Sequence, residues 1–237
     1  MLPPFVIAIS KALHPGRHRA KGQEKLKYYP IFLDIRNKKC VVVGGGEVAA
    51  RKVSRLLECG AKVFVISPEL SPELVTLKEN NAICHIASSY TGDFPEGARL
   101  VIGATDDEAT NKWISSDARK KGILVNIVDD PEKCDFIVPS LVRRGELAVA
   151  VGTGGKSPAL ARHLREELEK QYGNEYEILL NILGRLRAKM EKNAGVGAEW
   201  FKALMNAGIL AAIKEKDDEK VRQIVKKITG EDLEIDV

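Results

Sequence analysis

The sequence predicts an α/β protein: a doubly wound parallel sheet, then a hairpin and helix, then a C-terminal helical segment. Three observations carry this expectation. From Lys39, short apolar runs and helix-forming stretches alternate at the spacing of βαβ units. The run CVVVGGGEVAARK (Cys40–Lys52) passes from apolar residues through three glycines directly into a helix-forming stretch. After Val128 the strands become short and are joined by a tight turn, and beyond Tyr172 the chain is charged and lacks strand patterns.

Taken in order, Cys40–Val43 is the first strand, apolar throughout as a strand buried on both faces must be. Glu47–Cys59 is the first helix, ended by Gly60. Lys62–Ser67 is the second strand, and Ser71 to about Glu79 is a helix with Ser71 as N-cap and Pro72 in its first position. Ala82–Ala87 and Leu100–Ala104 are the third and fourth strands. A helix from about Asp107 to Lys121 stops before Gly122, and Ile123–Val128 is the fifth strand. Asp135–Pro139 reads as a further short strand. Leu141–Arg143 and Leu147–Val151 read as an antiparallel pair turning at Arg144-Gly145. In the helix Pro158–Tyr172, Leu160, Leu164 and Leu168 stand four apart on one face, and Gly173 closes it. Glu175–Lys192, Ala198–Glu215 and Asp217–Ile228 complete the chain as helices.

A chain of 237 residues can bury a full core, and 30% charged with 5% aromatic residues suits an α/β protein with aliphatic strands. The net charge of +4 is far from the basic imbalance of a nucleic-acid binder, so no nucleic-acid partner is expected. Cys40, Cys59, Cys84 and Cys134 show no CxxC spacing, which points to reduced thiols in a cytoplasmic protein and to no metal site. No apolar run approaches the roughly 20 residues of a membrane span. Residues 1–27 place a short apolar stretch before a basic one, the reverse of a secretory signal, and read as a flexible arm.

The candidate sites fall at the C-terminal ends of the parallel strands, where open α/β sheets bind ligands. Gly44, Gly45 and Gly46 form the turn of a Rossmann-like dinucleotide fingerprint, with Ala49 as its third small residue and Glu47 and Val48 opening the helix. The helix N-terminus offers free N–H groups and a positive dipole end to a pyrophosphate. Ser67, Pro68 and Glu69 follow the second strand, where a ribose-binding group is expected. No Arg or Lys follows Ser67 closely, which favours NAD over NADP. Ala104 and Thr105 end the fourth strand as candidate cofactor contacts, with Thr105 or Asp106 as N-cap of the next helix. The fifth strand contributes Asn126 and ends at Asp129, a carboxylate well placed for proton transfer, although Asp before Asp-Pro is also ordinary turn chemistry. Thr153, Gly154, Gly155, Lys156 and Ser157 combine backbone donors, a cation and hydroxyls ahead of a helix, which suits an anionic substrate. Arg143, Arg144, Lys156, Arg162 and Arg165 could line a basic pocket, and His163 is expected to pack beside the leucine face.

In sequence order, YYPIFLDIRNKKCVVVGGGEVAARKV, GATDDEATN and VNIVDDPEKCDFIVPSLVRRGELAVAVGTGGKSPALARHLREELE resemble the precorrin-2 dehydrogenase family, over about Tyr28 to Tyr172. The same module forms the N-terminal part of bacterial sirohaem synthase. The resemblance implies NAD-dependent oxidation of precorrin-2 to sirohydrochlorin, with NAD contacts at Glu47-Val48 and Pro68-Glu69. It raises Asp129 to the position of the family's essential aspartate and places Thr153 where the family carries a serine. It also implies a homodimer built by the segment after the dinucleotide domain. Two readings of the iron chemistry stand: dehydrogenation alone, and dehydrogenation with Fe2+ insertion into sirohydrochlorin. A different class of function, a regulatory NAD-sensing module, would share the glycine turn but has no need of Asp129 with a basic GGKSP segment. The expected division is an arm over 1–27, an NAD-binding domain over 28–139, a dimerisation and substrate segment over 140–172, and a helical segment over 173–237.

Overall fold

The computed structural model describes residues 27–189 and 194–234. The chain divides into Met1–Leu33 and Asp34–Val237. Within the described part of the first unit, the Lys27 ammonium lies 5.3 Å from the centre of the Tyr28 ring. The arm expected over residues 1–27 lies, Lys27 apart, outside the described residues.

The second unit begins with β1 (Lys39–Val43), α1 (Glu47–Glu58), β2 (Lys62–Ile66), α2 (Pro72–Glu79) and β3 (Ile83–Ile86). It returns through β4 (Ala98–Gly103), α3 (Glu108–Lys120) and β5 (Leu124–Ile127). The five strands form one parallel sheet in the order β3-β2-β1-β4-β5. The order reverses between β1 and β4, and the sheet is doubly wound as expected. Burial shows why β1 had to be apolar on every residue. Cys40 and Val42 face a cluster with Ala49, Ala50 and Val53 of α1, whereas Val41 and Val43 face Ile114 and Ala118 of α3. A polar side chain on either face would be stranded without a partner.

Beyond β5, a single 3-10 turn (Pro131–Lys133) leads to β6 (Ser140–Arg144) and β7 (Leu147–Val151), an antiparallel hairpin, and then to α4 (Pro158–Gln171). The strand expected over Asp135–Pro139 does not form. The segment instead follows β5 through isolated bonds, from Asp135 N–H to the Val125 carbonyl (2.8 Å) and from the Asn126 amide to the Phe136 carbonyl (2.9 Å). Side-chain and single backbone bonds satisfy it without a ladder.

The rest is helical: α5 (Glu175–Lys189), α6 (Ala194–Asn206), α7 (Ile209–Lys214) and α8 (Asp218–Thr229). These share a core of their own around Ile182, Leu186, Leu204, Ile209, Ile213, Val221 and Val225. The helix expected over Ala198–Glu215 is broken, because Gly208 adopts φ 78° and starts a new helix there. The expected end of the preceding helix at Lys192 lies outside the described residues.

At the end of β1, Gly44 has φ 123°, and a Cβ on it would stand 2.2 Å from the Ala104 carbonyl oxygen. A Cβ on Gly45 would stand 1.9 Å from the Glu69 carbonyl oxygen, whereas one on Gly46 would meet nothing within 4 Å. Gly45→Ala is therefore expected to destabilise the protein by about 2 kcal/mol or more, and Gly46→Ala by about 0.5 kcal/mol or less. Thermal unfolding of the two variants checks this; equal melting temperatures would contradict the packing.

Candidate active site

The residues at the reversal in strand order enclose a pocket of about 400 Å³, lined by Val43–Val48, Ile66–Pro68, Ser89, Tyr90, Ala104–Asp106 and Thr110. Its size falls in the roughly 300–1,000 Å³ range of ligand sites. Three loops are bound to one another beneath it. Gly44 N–H donates to the Ile66 carbonyl (2.9 Å), Ser71 N–H to the Gly45 carbonyl (2.7 Å), and Ala104 N–H to the Val43 carbonyl (2.8 Å).

Each expected cofactor residue can be located against this pocket. Gly44, Gly45, Gly46, Glu47, Val48, Ser67, Pro68, Ala104 and Thr105 all line it. The Ser67 hydroxyl, however, donates to the Glu69 carbonyl at 2.7 Å and is buried, so it locks its own loop. Glu69 is not among the lining residues; its carbonyl is what packs on Gly45. Asn126 is also absent from the lining, since its buried amide holds the Phe136 carbonyl. Ser71 starts α2 as expected, yet its hydroxyl makes no capping bond and is buried without a partner. The cap of α3 is neither Thr105 nor Asp106. Asp107 takes that place, accepting from Thr110 N–H at 2.8 Å and from the Thr110 hydroxyl. Those bonds hold the Asp107 carboxyl below the usual range. Thr105 instead joins Asn111, its hydroxyl donating to the Asn111 side-chain oxygen (2.9 Å) while the Asn111 amide donates to the Thr105 carbonyl (2.8 Å).

Ser89, Tyr90 and Thr110 were not indicated by the sequence. Tyr90 is buried, donates to Asp117 at 3.2 Å, and stacks edge-on with Trp113 at 5.2 Å between ring centres. Burial pushes its hydroxyl pKa well up. The stretch from Ala87 to Gly97 has no hydrophobic period, so only the folded chain brings Tyr90 back to the sheet edge.

The dinucleotide fit rests on the cradle itself. Gly46 leaves open space, and the 12-residue helix α1 starts there without a side-chain cap, leaving its first N–H groups to an outside acceptor. Gly44–Val48 would hold the pyrophosphate. The lining contains the carboxylates of Glu47 and Asp106 and no Lys or Arg.

Asp129 lies outside that lining, at the corner following β5. Val128 N–H donates to the Gly103 carbonyl (2.9 Å), which ties this corner to the strand preceding Ala104. Asp129 is exposed and adopts φ 61° in a turn closed by Asp130 N–H to the Ile127 carbonyl (3.3 Å). The ordinary turn chemistry here belongs to Asp130. Its carboxylate caps the 3-10 turn through Glu132 and Lys133 N–H (both 3.3 Å) and meets the Lys133 ammonium at 2.5 Å. That ammonium holds the Asp130 carboxyl below its usual range. Asp129 makes no hydrogen bond among the described residues. Cys134 gathers the corner from inside, its sulfur accepting from Ile127 N–H at 3.2 Å, and burial pushes its thiol pKa up.

The GGKSP turn is also outside the pocket lining. Thr153 Oγ1 accepts from Ser157 N–H (3.2 Å) and donates to the Ser157 carbonyl (3.0 Å), and the Ser157 hydroxyl caps α4 at Leu160 N–H (3.2 Å). Gly154 and Gly155 supply the left-handed turn with φ 64° and 83°, and Lys156 N–H donates to the Thr153 carbonyl (3.1 Å). Two of the five cations expected to line a basic pocket are paired with carboxylates. Arg162 pairs with Glu166 (3.0 Å) and Arg165 with Glu169 (2.6 Å), while Arg143 and Arg144 hold backbone carbonyls. His163 is exposed on α4 and does not pack. Among the described residues no group of three or more His, Cys, Asp or Glu is arranged to hold a metal ion, and no helix is long and apolar enough to cross a membrane.

Residues 31–140 match a model of an NAD(P)-binding family, and residues 144–171 match the central domain of sirohaem biosynthesis proteins. The siroheme synthase of Methylobacillus flagellatus is 39% identical over 203 residues, covering 83% of this chain and 44% of the relative. That of Chromobacterium violaceum is 45% identical over 144 residues, covering 61% and 31%. The chain thus spans less than half the length of these relatives. Among solved structures, SirC, precorrin-2 dehydrogenase, superposes with a TM-score of 0.71 at 23% identity, over 86% of this chain and all of the other.

The site's geometry yields a direct test. Gly46→Asp introduces a carboxylate where a phosphate must approach, in space a side chain can occupy. It is expected to abolish NAD binding by calorimetric titration while leaving the melting temperature within a few degrees of wild type. Unchanged affinity would move the pyrophosphate elsewhere.

Proposed function

We propose, for a chain that belongs to the sirohaem synthase family, that it oxidises precorrin-2 to sirohydrochlorin with NAD. One observation carries the reading: a dinucleotide-sized cradle at the reversal in strand order, and next to it a carboxylate that no structural role consumes. Bound NAD would supply the hydride acceptor. The chain's own part is to bind, orient and take a proton. Gly44–Val48 bind the pyrophosphate, Pro68, Ala104 and Thr105 border the rest of the cofactor, and Asp129 accepts the proton that leaves the substrate framework. The role of Thr153–Ser157 is to border the anionic substrate with backbone donors and Lys156. NAD is preferred over NADP because no Lys or Arg in the lining, at Ser67-Pro68 or elsewhere, would receive a 2′-phosphate.

The enzyme works as a homodimer joined through residues 140–172, in the cytoplasm. The support is the outer face of α4, where Leu160 and Leu164 remain 48% and 40% exposed. Exposed leucines one turn apart on a helix are a face that a second copy can cover.

Asp129→Asn keeps the shape of the side chain and removes its basicity. It is expected to lower kcat for NAD-dependent precorrin-2 oxidation by about 10²–10⁴-fold, with the Kd for NAD unchanged. The same assay run with NADP in place of NAD should show little turnover. Near wild-type kcat in the Asn variant would remove Asp129 from the chemistry. For assembly, light scattering should give a dimer for the wild type and a monomer for Leu164→Glu; a wild-type monomer at micromolar concentration would overturn the dimer.

A further inference from the structure

The parallel ladder between β2 and β3 ends just as it reaches the pocket. Ser67 N–H donates to the Ile86 carbonyl (3.2 Å), and the next bond of the series would run from Ser88 N–H to the Ser67 carbonyl. Ser88 N–H instead turns back to the Ile86 carbonyl (2.9 Å), and the chain leaves the sheet toward Ser89 and Tyr90 of the pocket lining. A side chain takes over the missing donor's place. His85, half-buried on the edge strand β3, sets its Nε2 2.9 Å from the Ser67 carbonyl oxygen. A carbonyl can only accept, so Nε2 carries the proton and donates.

This bond stands at the outer end of a series of contacts that reaches the glycine turn. The Ser67 hydroxyl donates to the Glu69 carbonyl (2.7 Å), and both groups pack against Gly45, whose own carbonyl accepts from Ser71 N–H (2.7 Å). Ser67 and Pro68 line the pocket, whereas His85 does not. We propose that His85 is a positioning residue for the cofactor: by holding the Ser67 carbonyl it keeps the Ser67–Glu69 loop in the geometry that receives the ribose of the adenosine half. The inference rests on the reading of this pocket as the NAD site and adds what sets the loop beside it. Among the described residues no backbone N–H donates to the Ser67 carbonyl, so without the imidazole the loop is free to turn that oxygen to water. NAD then binds only the fraction of molecules in which the loop is in place, and the apparent affinity falls by that fraction.

The test is calorimetric titration of the full chain with NAD and with ADP-ribose, and it requires no turnover. His85→Gln keeps an amide N–H within reach of the Ser67 carbonyl, whereas the shorter amide of His85→Asn stops short of it. His85→Asn is expected to raise the Kd for both ligands roughly tenfold, and His85→Gln to stay within about twofold of wild type. Equal Kd values in the two variants, or a lower melting temperature for His85→Asn with unchanged Kd, would make His85 a fastener of the edge strand alone and overturn the proposal. Weaker NAD binding with unchanged ADP-ribose binding would move the effect to the nicotinamide half and overturn it as well. The His85→Gln arm also stands by itself, since a tenfold loss where the donor is kept contradicts the positioning role even if His85→Asn does not fold. Failure of the wild type to oxidise precorrin-2 bears on the dehydrogenase reading alone, whereas a wild type that binds neither ligand overturns both.

Discussion

At the end of β1 three backbones meet with no room for a side chain between them. Gly44 lies against the Ala104 carbonyl, and Gly45 lies against the Glu69 carbonyl. These close approaches allow the loops after β1, β2 and β4 to share hydrogen bonds, and the pocket is the space left above them. Everything at the strand ends inherits its position from this contact. Ser67 and Asn126, two polar residues that could have served a ligand, are used to fasten loops instead. Gly46 differs from its two neighbours because its missing side chain faces open space, and that freedom is available to a ligand.

The corner after β5 divides its labour in a way that bears on function. Asp130 caps, Cys134 draws the main chain together, and Lys133 neutralises Asp130. Asp129, one residue earlier, is turned outward by its left-handed backbone and left without such duties. Asp tolerates that conformation better than most residues, so a turn and an available carboxylate are reconciled at one position. The sheet supplies the remaining constraint, since the Val128 amide bonds to Gly103 and keeps the corner beside the strand end that borders the pocket.

Periodic elements are legible in the sequence. The five parallel strands and their helices follow from apolar runs bounded by glycines, and each observed boundary lies within two residues of the expected one. Irregular segments are not legible in this way. DFIVP has the composition of a strand but lies beside the edge strand β5, held by isolated bonds to Val125 and Asn126 and not by a ladder. The helix expected to run unbroken from Ala198 to Glu215 breaks at Gly208, because an interior glycine can take the left-handed conformation at little cost when packing favours a corner. The three acceptors Thr105, Asp106 and Asp107 are equivalent as sequence, and only the direction of the chain leaving β4 selects Asp107 as the cap.

By itself the sequence determined the parallel sheet, the glycine turn and the candidate carboxylate at a strand end, because these depend on patterns within a few residues. Tertiary structure decided which of those groups remain available to a ligand. Asn126 is committed to the Phe136 carbonyl ten residues on, Ser67 is used up within its own loop, and Tyr90 reaches the pocket from a stretch with no periodic signal.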